Sequence, residues 1–188
     1  LGDGYKRQGV DLPAEIEGGL FASEETFNQG VVSLASYSFG QTFNISPLQL
    51  IRAQSACING GYLYTPYVVD QILDGDGNVI QQHESTPVRQ VISEETSATV
   101  RECLEYVVAN GTGRNGQVAG YSIGGKTGTA QTGQFRDGEE LKNYWFAGFY
   151  PAEKPRWTIV VMQDAQTEPE VSSAAIFARL CDALSAGA

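Results

Sequence analysis

One histidine, one methionine, three cysteines and no long apolar run define this 188-residue chain by what it has little of. The shortage of histidine removes most metal-binding and triad chemistry. His83, the single candidate, lies in a polar stretch, so a Ser-His-Asp arrangement would rest on an exposed side chain. Cys57, Cys103 and Cys181 are odd in number and far apart, with none of the spacing that metal ligands show. They are expected to be free thiols buried in helices. No segment approaches the roughly 20 apolar residues of a membrane helix, and the opening "LGDGYKRQGV" lacks the apolar centre of a signal peptide. Any anchor or export signal is expected to lie outside these residues. Basic residues are also scarce, 12 against 22 acidic, for a formal charge of −10. A phosphate-rich partner would be repelled, which excludes nucleic acid.

What is present is the composition of a globular protein, 41% hydrophobic with 22 glycines. Residues 1–61 read as ordered loop through about Gly40, followed by a helix in "SPLQLIRAQSACINGG". There Ser46 can cap, Pro47 suits the first turn, Gln49 completes a capping box, and Asn59, Gly60 and Gly61 stop the run. Leu48, Ile51 and Ser55, with Leu50 and Cys57 beside them, give that helix a broad buried face. Residues 62–92 form a hairpin excursion, with two strands in "YVVDQILDGDGNVIQQ" reversing at Asp74 to Asn78. From residue 93 to 188 the pattern predicts a helix capped by Ser93, with Val100, Leu104, Val107 and Val108 at helical spacing. Three antiparallel strands follow, in "YSIGGKTGTAQ", "YWFAGFYPA" and "RWTIVVMQD", the last covered on both faces, with the glycine-rich "AQTGQFRDGEELKN" between the first two expected as an exposed loop. A final helix places Ile176, Phe177, Leu180, Cys181 and Leu184 on one side, to pack on the sheet. The fold class is therefore α+β, an antiparallel sheet flanked by helices.

Two motif matches fail on context. "GTGRNG", Gly111 to Gly116, spells a dinucleotide fingerprint but leaves a helix and leads to a strand, the reverse of the order that binds pyrophosphate. Its glycines instead let a loop pass close to other backbone. "DGDGNV", Asp74 to Val79, begins like a calcium loop, but Val79 and Ser85 stand where glycine and glutamate are needed. It is a turn.

"GGKTGTAQ", Gly124 to Gln131, is different. Gly124, Gly125 and Gly128 thin a strand so that another molecule's backbone could lie along it. Lys126 supplies fixed positive charge, and Thr127 and Thr129 supply hydroxyls and main-chain N–H groups for an anion. Such an edge suits an extended peptide ending in a carboxylate. Lys-Thr-Gly is also a signature of the penicillin-recognising serine enzymes. The further segments "GVDLPAE", "SFGQTFNISPLQLIRAQSACINGG", "ANGTG" and "WFAGFYPAEKPRWTIVV" occur in an order and spacing that resemble the class B penicillin-binding proteins. The likeness is to the C-terminal part of the transpeptidase domain, of the division or spore-cortex type.

That resemblance implies a peptidoglycan D,D-transpeptidase working through an acyl-serine, with no cofactor. Its partners would be stem peptides and, in the complete domain, β-lactams, and it would be anchored at the extracytoplasmic face of the bacterial membrane. Lys126 would help hold the substrate carboxylate and tune proton relay. Thr127 and Thr129 would offer hydroxyls, the Thr129 N–H would be one oxyanion donor, and Gly128 would leave room for the ligand. The departure is that no serine has a lysine three positions on and no Ser-x-Asn occurs. In the family these lie upstream of the "GVDLPAE" stretch, so the nucleophile-bearing half of the domain is expected before Leu1. By itself the chain should be inactive and should expose apolar surface that favours self-association. A non-catalytic peptide-binding or scaffold module, and a β-lactamase or D,D-carboxypeptidase relative, share the strand and stay open on sequence alone.

Overall fold

A computed structural model describes residues 7–13, 15, 18–19 and 21–186. The readings that touch residues 1–6, 14, 16–17, 20 and 187–188 lie outside this set. Where loop was expected through Gly40, two short helices form, α1 (Glu24–Asn28) and α2 (Val31–Ser38). Ser23 caps α1 by accepting from the Thr26 N–H, with Glu24 and Glu25 in its first turn. An aromatic cluster holds the pair: Tyr37 meets Phe27 edge-on at 5.2 Å and Phe43 at 4.9 Å, and its hydroxyl accepts from the Ala22 N–H. The glycines around these helices hid contacts that are made across the segment rather than along it.

α3 (Pro47–Ile58) has the expected capping box: Ser46 Oγ accepts from the Gln49 N–H, and Gln49 Oε1 from the Ser46 N–H. Its buried residues are Gln49, Ala56 and Ile58, not the broad face anticipated. Leu48, Ile51 and Ser55 are half-buried and line a shallow cleft with Tyr62 and Tyr64 instead. Residues 62–92 form a hairpin within a hairpin. β1 (Tyr62–Tyr64) pairs with β4 (Pro87–Gln90), and β2 (Gln71–Leu73) pairs with β3 (Val79–Gln82). Asp74 closes the inner turn by accepting from the N–H groups of Asp76 and Asn78, which explains the acidic run without calcium. In the "GVDLPAE" stretch, Asp11 accepts from the Val68 and Val69 N–H groups at 2.7 and 2.9 Å. That motif therefore clamps the entry to the excursion.

α4 (Glu94–Asn110) begins at the Ser93 cap. It is tied to the end of α3 by Ser97, whose Oγ accepts from the Gly60 N–H and donates to the Cys57 carbonyl. The main sheet is β5 (Gly124–Arg136), β6 (Glu139–Tyr150) and β7 (Trp157–Gln166), antiparallel with β6 central. Strand alternation sends Phe146 to one face and Phe149 to the other. Phe146 packs on Phe177 of α5 (Ser173–Ala186), with Val108, Ile123 and Cys181 around them. Phe149 packs on Ile58 of α3 and on Ala152. α4 reaches both cores, through Val108 and Leu104, beside the start of β5. β7 is half-buried along its apolar run, with Ile159 and Val161 on the Phe146 core and Thr158 bonded to Ser55 of α3.

Three expectations need correction. The stripe of α5 on the sheet is Ser173, Ala174, Phe177 and Cys181, while Leu180 is exposed, because the core lies under one narrow line of the helix. Of the three helical thiols only Cys181 is buried; Cys57 is intermediate and Cys103 exposed on the outer side of α4. Finally, "AQTGQFRDGEELKN" is not a loop: β5 and β6 continue through it to a two-residue reversal at Asp137 and Gly138, both with positive φ.

Candidate active-site strand

β6 lies on one side of β5, and among the described residues no strand lies on the other. The middle of β5 is thus a free edge, the place where an extended chain can be added. The register sets the direction of each side chain. Lys126 stands opposite Ala147 and Gly128 opposite Trp145, on the Phe149 face of the sheet. Thr127 stands opposite Phe146 and Thr129 opposite Tyr144, on the Phe146 face. The Lys126 side chain turns along the strand: Nζ donates to the Thr127 carbonyl at 2.7 Å and lies 3.5 Å from Thr127 Oγ1. The ammonium and a hydroxyl therefore meet at the free edge. Lys126, Gly128 and Thr129 are exposed and Thr127 is half-buried. The strand's period of two points the Thr129 N–H the same way as the main-chain groups of Thr127.

The glycines divide. Gly124 and Gly125 are buried, and a Cβ on Gly124 would stand 2.1 Å from Phe149 Cζ, one on Gly125 2.6 Å from Phe146 Cζ. Their room is filled by the protein's own rings, not by another molecule. Gly128 is exposed, and a Cβ there would meet only the Trp145 Cβ, at 3.5 Å. Of the three, it is the one left open to a ligand.

The "GTGRNG" segment packs behind the strand. It leaves α4, turns through a short 3-10 helix (Arg114–Gly116) and runs toward β5, and no helix opens after it that could receive a pyrophosphate. A Cβ on Gly116 would sit 2.9 Å from Phe146 Cζ, so the loop lies against the sheet core as its glycines suggest. It also delivers a residue that sequence reasoning passed over. Thr112 Oγ1 is 3.1 Å from Thr127 Oγ1. Its position inside a glycine-flanked loop just ahead of the lysine strand was the available signal.

Other candidates do not join this group. His83 lies in the excursion, stacked on Tyr67 with ring centroids 3.6 Å apart, and is half-buried by that contact. Among the described residues there is no cluster of three or more His, Cys, Asp or Glu placed to hold a metal ion. Clefts of about 120 Å³ and about 430 Å³ are lined by residues that include none of Lys126, Thr127, Gly128 or Thr129. The arrangement is an open wall: it can bind an anion and present N–H donors along an edge, but it carries no activated nucleophile.

Comparison with known proteins assigns the chain to a family. Residues 3–182 match the family model described as the penicillin binding protein transpeptidase domain. The chain is 43% identical to Stage V sporulation protein D of Bacillus subtilis over 163 residues, which cover 85% of this chain and 24% of that protein. It is 32% identical over 152 residues to the peptidoglycan D,D-transpeptidase FtsI homolog of Mesostigma viride, covering 73% of this chain and 25% of that protein. The solved structure of penicillin binding protein 3 from Mycobacterium tuberculosis, complexed with aztreonam, superposes with a TM-score of 0.82 at 28% identity, covering 97% of this chain and 43% of that one. The chain thus spans about a quarter of the length of these curated relatives. What the comparison shares with this chain is the fold, a mixed architecture of antiparallel sheet and helices. The chain belongs to the penicillin binding protein transpeptidase domain family.

Proposed function

We propose that this chain is one wall of the active site of a peptidoglycan D,D-transpeptidase. In that reaction a serine oxygen attacks the carbonyl between two terminal D-alanines of a stem peptide, and the last D-alanine leaves as its amine takes up a proton. An amine of a neighbouring stem then displaces the serine, which recovers its proton, and the cross-link is made. The serine, its lysine and a Ser-x-Asn group do not occur in these 188 residues. They would come from the rest of the domain. The observation that carries the reading is the free edge of β5, where the Lys126 ammonium, the Thr127 hydroxyl and an uncrowded Gly128 lie on three consecutive residues.

Each residue takes a role from its position. Lys126 neutralises the substrate's terminal carboxylate, or that of a β-lactam, and biases proton relay. Thr127 and Thr129 add hydroxyl contacts, and the Thr129 N–H is one of two donors to the oxyanion. Gly128 lets the ligand backbone lie close. The rest of the domain would cover the apolar side of α2, where Val31, Val32 and Phe39 are 79%, 76% and 70% exposed. Without it, the 188-residue chain should self-associate. No described helix is long and apolar enough to cross a membrane; work at the extracytoplasmic face would rely on an anchor elsewhere in the protein.

The test is acylation of the complete protein by a fluorescent penicillin, followed by gel and by intact mass. Wild type should gain the mass of one opened β-lactam, and Lys126→Ala should acylate at least about a hundredfold more slowly, the loss expected for one strong electrostatic contact at a reacting centre. Labelling unchanged in the Lys126 variant would remove the strand from the site. A complete protein that never labels would leave a peptide-binding or scaffold role.

A further inference from the structure

We propose that Thr112, in the loop between α4 and β5, is a positioning residue for the carboxylate-binding hydroxyl of Thr127; the inference rests on the transpeptidase reading of the strand. A threonine hydroxyl has one proton and two lone pairs. Thr127 Oγ1 has the Lys126 ammonium, which can only donate, at 3.5 Å, and the Thr112 hydroxyl at 3.1 Å. If Thr127 gives its proton to Thr112, none is left for an anion at the edge. If Thr112 is the donor, both lone pairs of Thr127 face donors and its single proton is free.

An anionic ligand selects the second arrangement, because a hydrogen bond to a carboxylate is about twice as strong as one between neutral hydroxyls. Thr112 then has no competing pull on the Thr127 proton, and it fixes the rotamer from which that proton points outward.

The loop is built to hold Thr112 still. The Gly111 and Gly113 N–H groups both donate to the Val107 carbonyl, at 2.9 and 3.2 Å, anchoring the residues on either side of it to the end of α4. A Cβ on Gly113 would lie 3.1 Å from Val108 Cγ2, so the backbone sits tight on that helix. Gln117 Nε2 donates to the Val108 carbonyl, and Asn115 Nδ2 donates to Ser172 Oγ just before α5. The Thr112 hydroxyl is itself exposed, where a bond between two hydroxyls adds little to folding stability. Its consequence falls on the direction of one proton.

The experiment uses the complete protein with Thr112→Val, Thr112→Ser, Thr127→Val and the Val/Val double variant. Acylation rate constants are measured with a fluorescent penicillin and with its methyl ester, which lacks the anion. Thr112→Val should slow acylation by the free acid about tenfold, the loss of roughly one charge-assisted hydrogen bond. The ester rate and the melting temperature should not move. Thr112→Ser should restore the acid rate, and Thr112→Val should add nothing on Thr127→Val. Two results overturn the proposal: Thr112→Val acylating like wild type while Thr127→Val is impaired, or Thr112→Val slowing acid and ester alike with a lower melting temperature. Wild-type protein that fails to acylate at all would sink the transpeptidase reading itself, and this inference with it.

Discussion

Gly124 and Gly128 stand four residues apart on one strand, and their alanine variants should fail in opposite ways. At Gly124 the new methyl would lie 2.1, 2.5 and 2.8 Å from Cζ, Cε1 and Cε2 of Phe149. Ordinary contact requires the ring or the strand to retreat by roughly 1 Å. Phe149 is fully buried against Ile58 and Ala152, so it has nowhere to go. Overpacking of this kind costs about 1–3 kcal/mol, and a clash with a closed ring belongs at the upper end, about 3 kcal/mol. At Gly128 the methyl meets only Trp145 Cβ at 3.5 Å, so stability should stay within about 0.5 kcal/mol and gain slightly from a less flexible unfolded chain. That methyl would stand on the Lys126 side of the edge, however, and acylation should fall at least about tenfold, the effect of one misplaced carbon in a fitted site. Urea unfolding of the complete protein reads the first effect, and the fluorescent-penicillin rate reads the second. Equal stability losses in the two variants would refute the division of the glycines. A Gly128→Ala protein that acylates like wild type would refute the close approach of ligand at that position.

Ser97→Ala removes from a fully buried position the acceptor for the half-buried Gly60 N–H and the donor to the Cys57 carbonyl, so urea unfolding should show a loss of about 1–3 kcal/mol. The Asp11 carboxyl is held below its ordinary 3.8 by the N–H groups of Val69 and Val68. A lowered carboxyl pKa contributes stability that is full above the unfolded value and fades as pH falls through the folded one, so the clamp should be at full strength above about pH 4 and open only as acidification passes the depressed folded value. Hydrogen exchange at Val68 and Val69 should accelerate there relative to the pH trend of neighbouring amides, and Asp11→Asn should show the faster exchange at neutral pH. Burial pushes the Cys181 thiol up to about 11 and raises Cys57 as well, so brief alkylation of the native protein should add one label, on Cys103. Rapid labelling of Cys181 would contradict its place in the core.

How much of this was legible depended on where the stabilising contacts lie along the chain. The caps at Ser46 and Ser93, the Asp74 turn and the three sheet strands are local, so sequence spacing reveals them. α1 and α2 are held by Tyr37, which joins Phe27 to Phe43 across sixteen residues, and no window of periodicity shows such a contact. The outer halves of β5 and β6 were missed for a different reason. Both of their faces are largely exposed from Gln131 to Glu140, so they carry no apolar alternation, although Asp137-Gly138 is a turn-forming pair of the kind present in the Asp74 to Asn78 reversal. The lysine strand stood out through its residue types, but the sequence alone could not say which glycines serve the fold and which face the edge. That needed the positions of two phenylalanine rings.

Those rings explain why this strand can be one rigid wall. Phe146 and Phe149 project from the central strand to opposite faces, each fully buried, one under α5 and one under α3. Gly125 and Gly124 let β5 lie directly against them, so the start of the strand is gripped from both faces by side chains that cannot move. One step further on, the grip ends and the free edge begins at Lys126. Catalytic groups must be held to within a fraction of an ångström, and a bare edge strand has no partner to hold it. Here the restraint comes from behind, through the glycine pair and the Thr112 loop, and among the described residues no strand covers the outward edge. A strand secured in this way can accept a second extended chain without releasing a ladder bond; only the Lys126 ammonium has to turn outward from the Thr127 carbonyl.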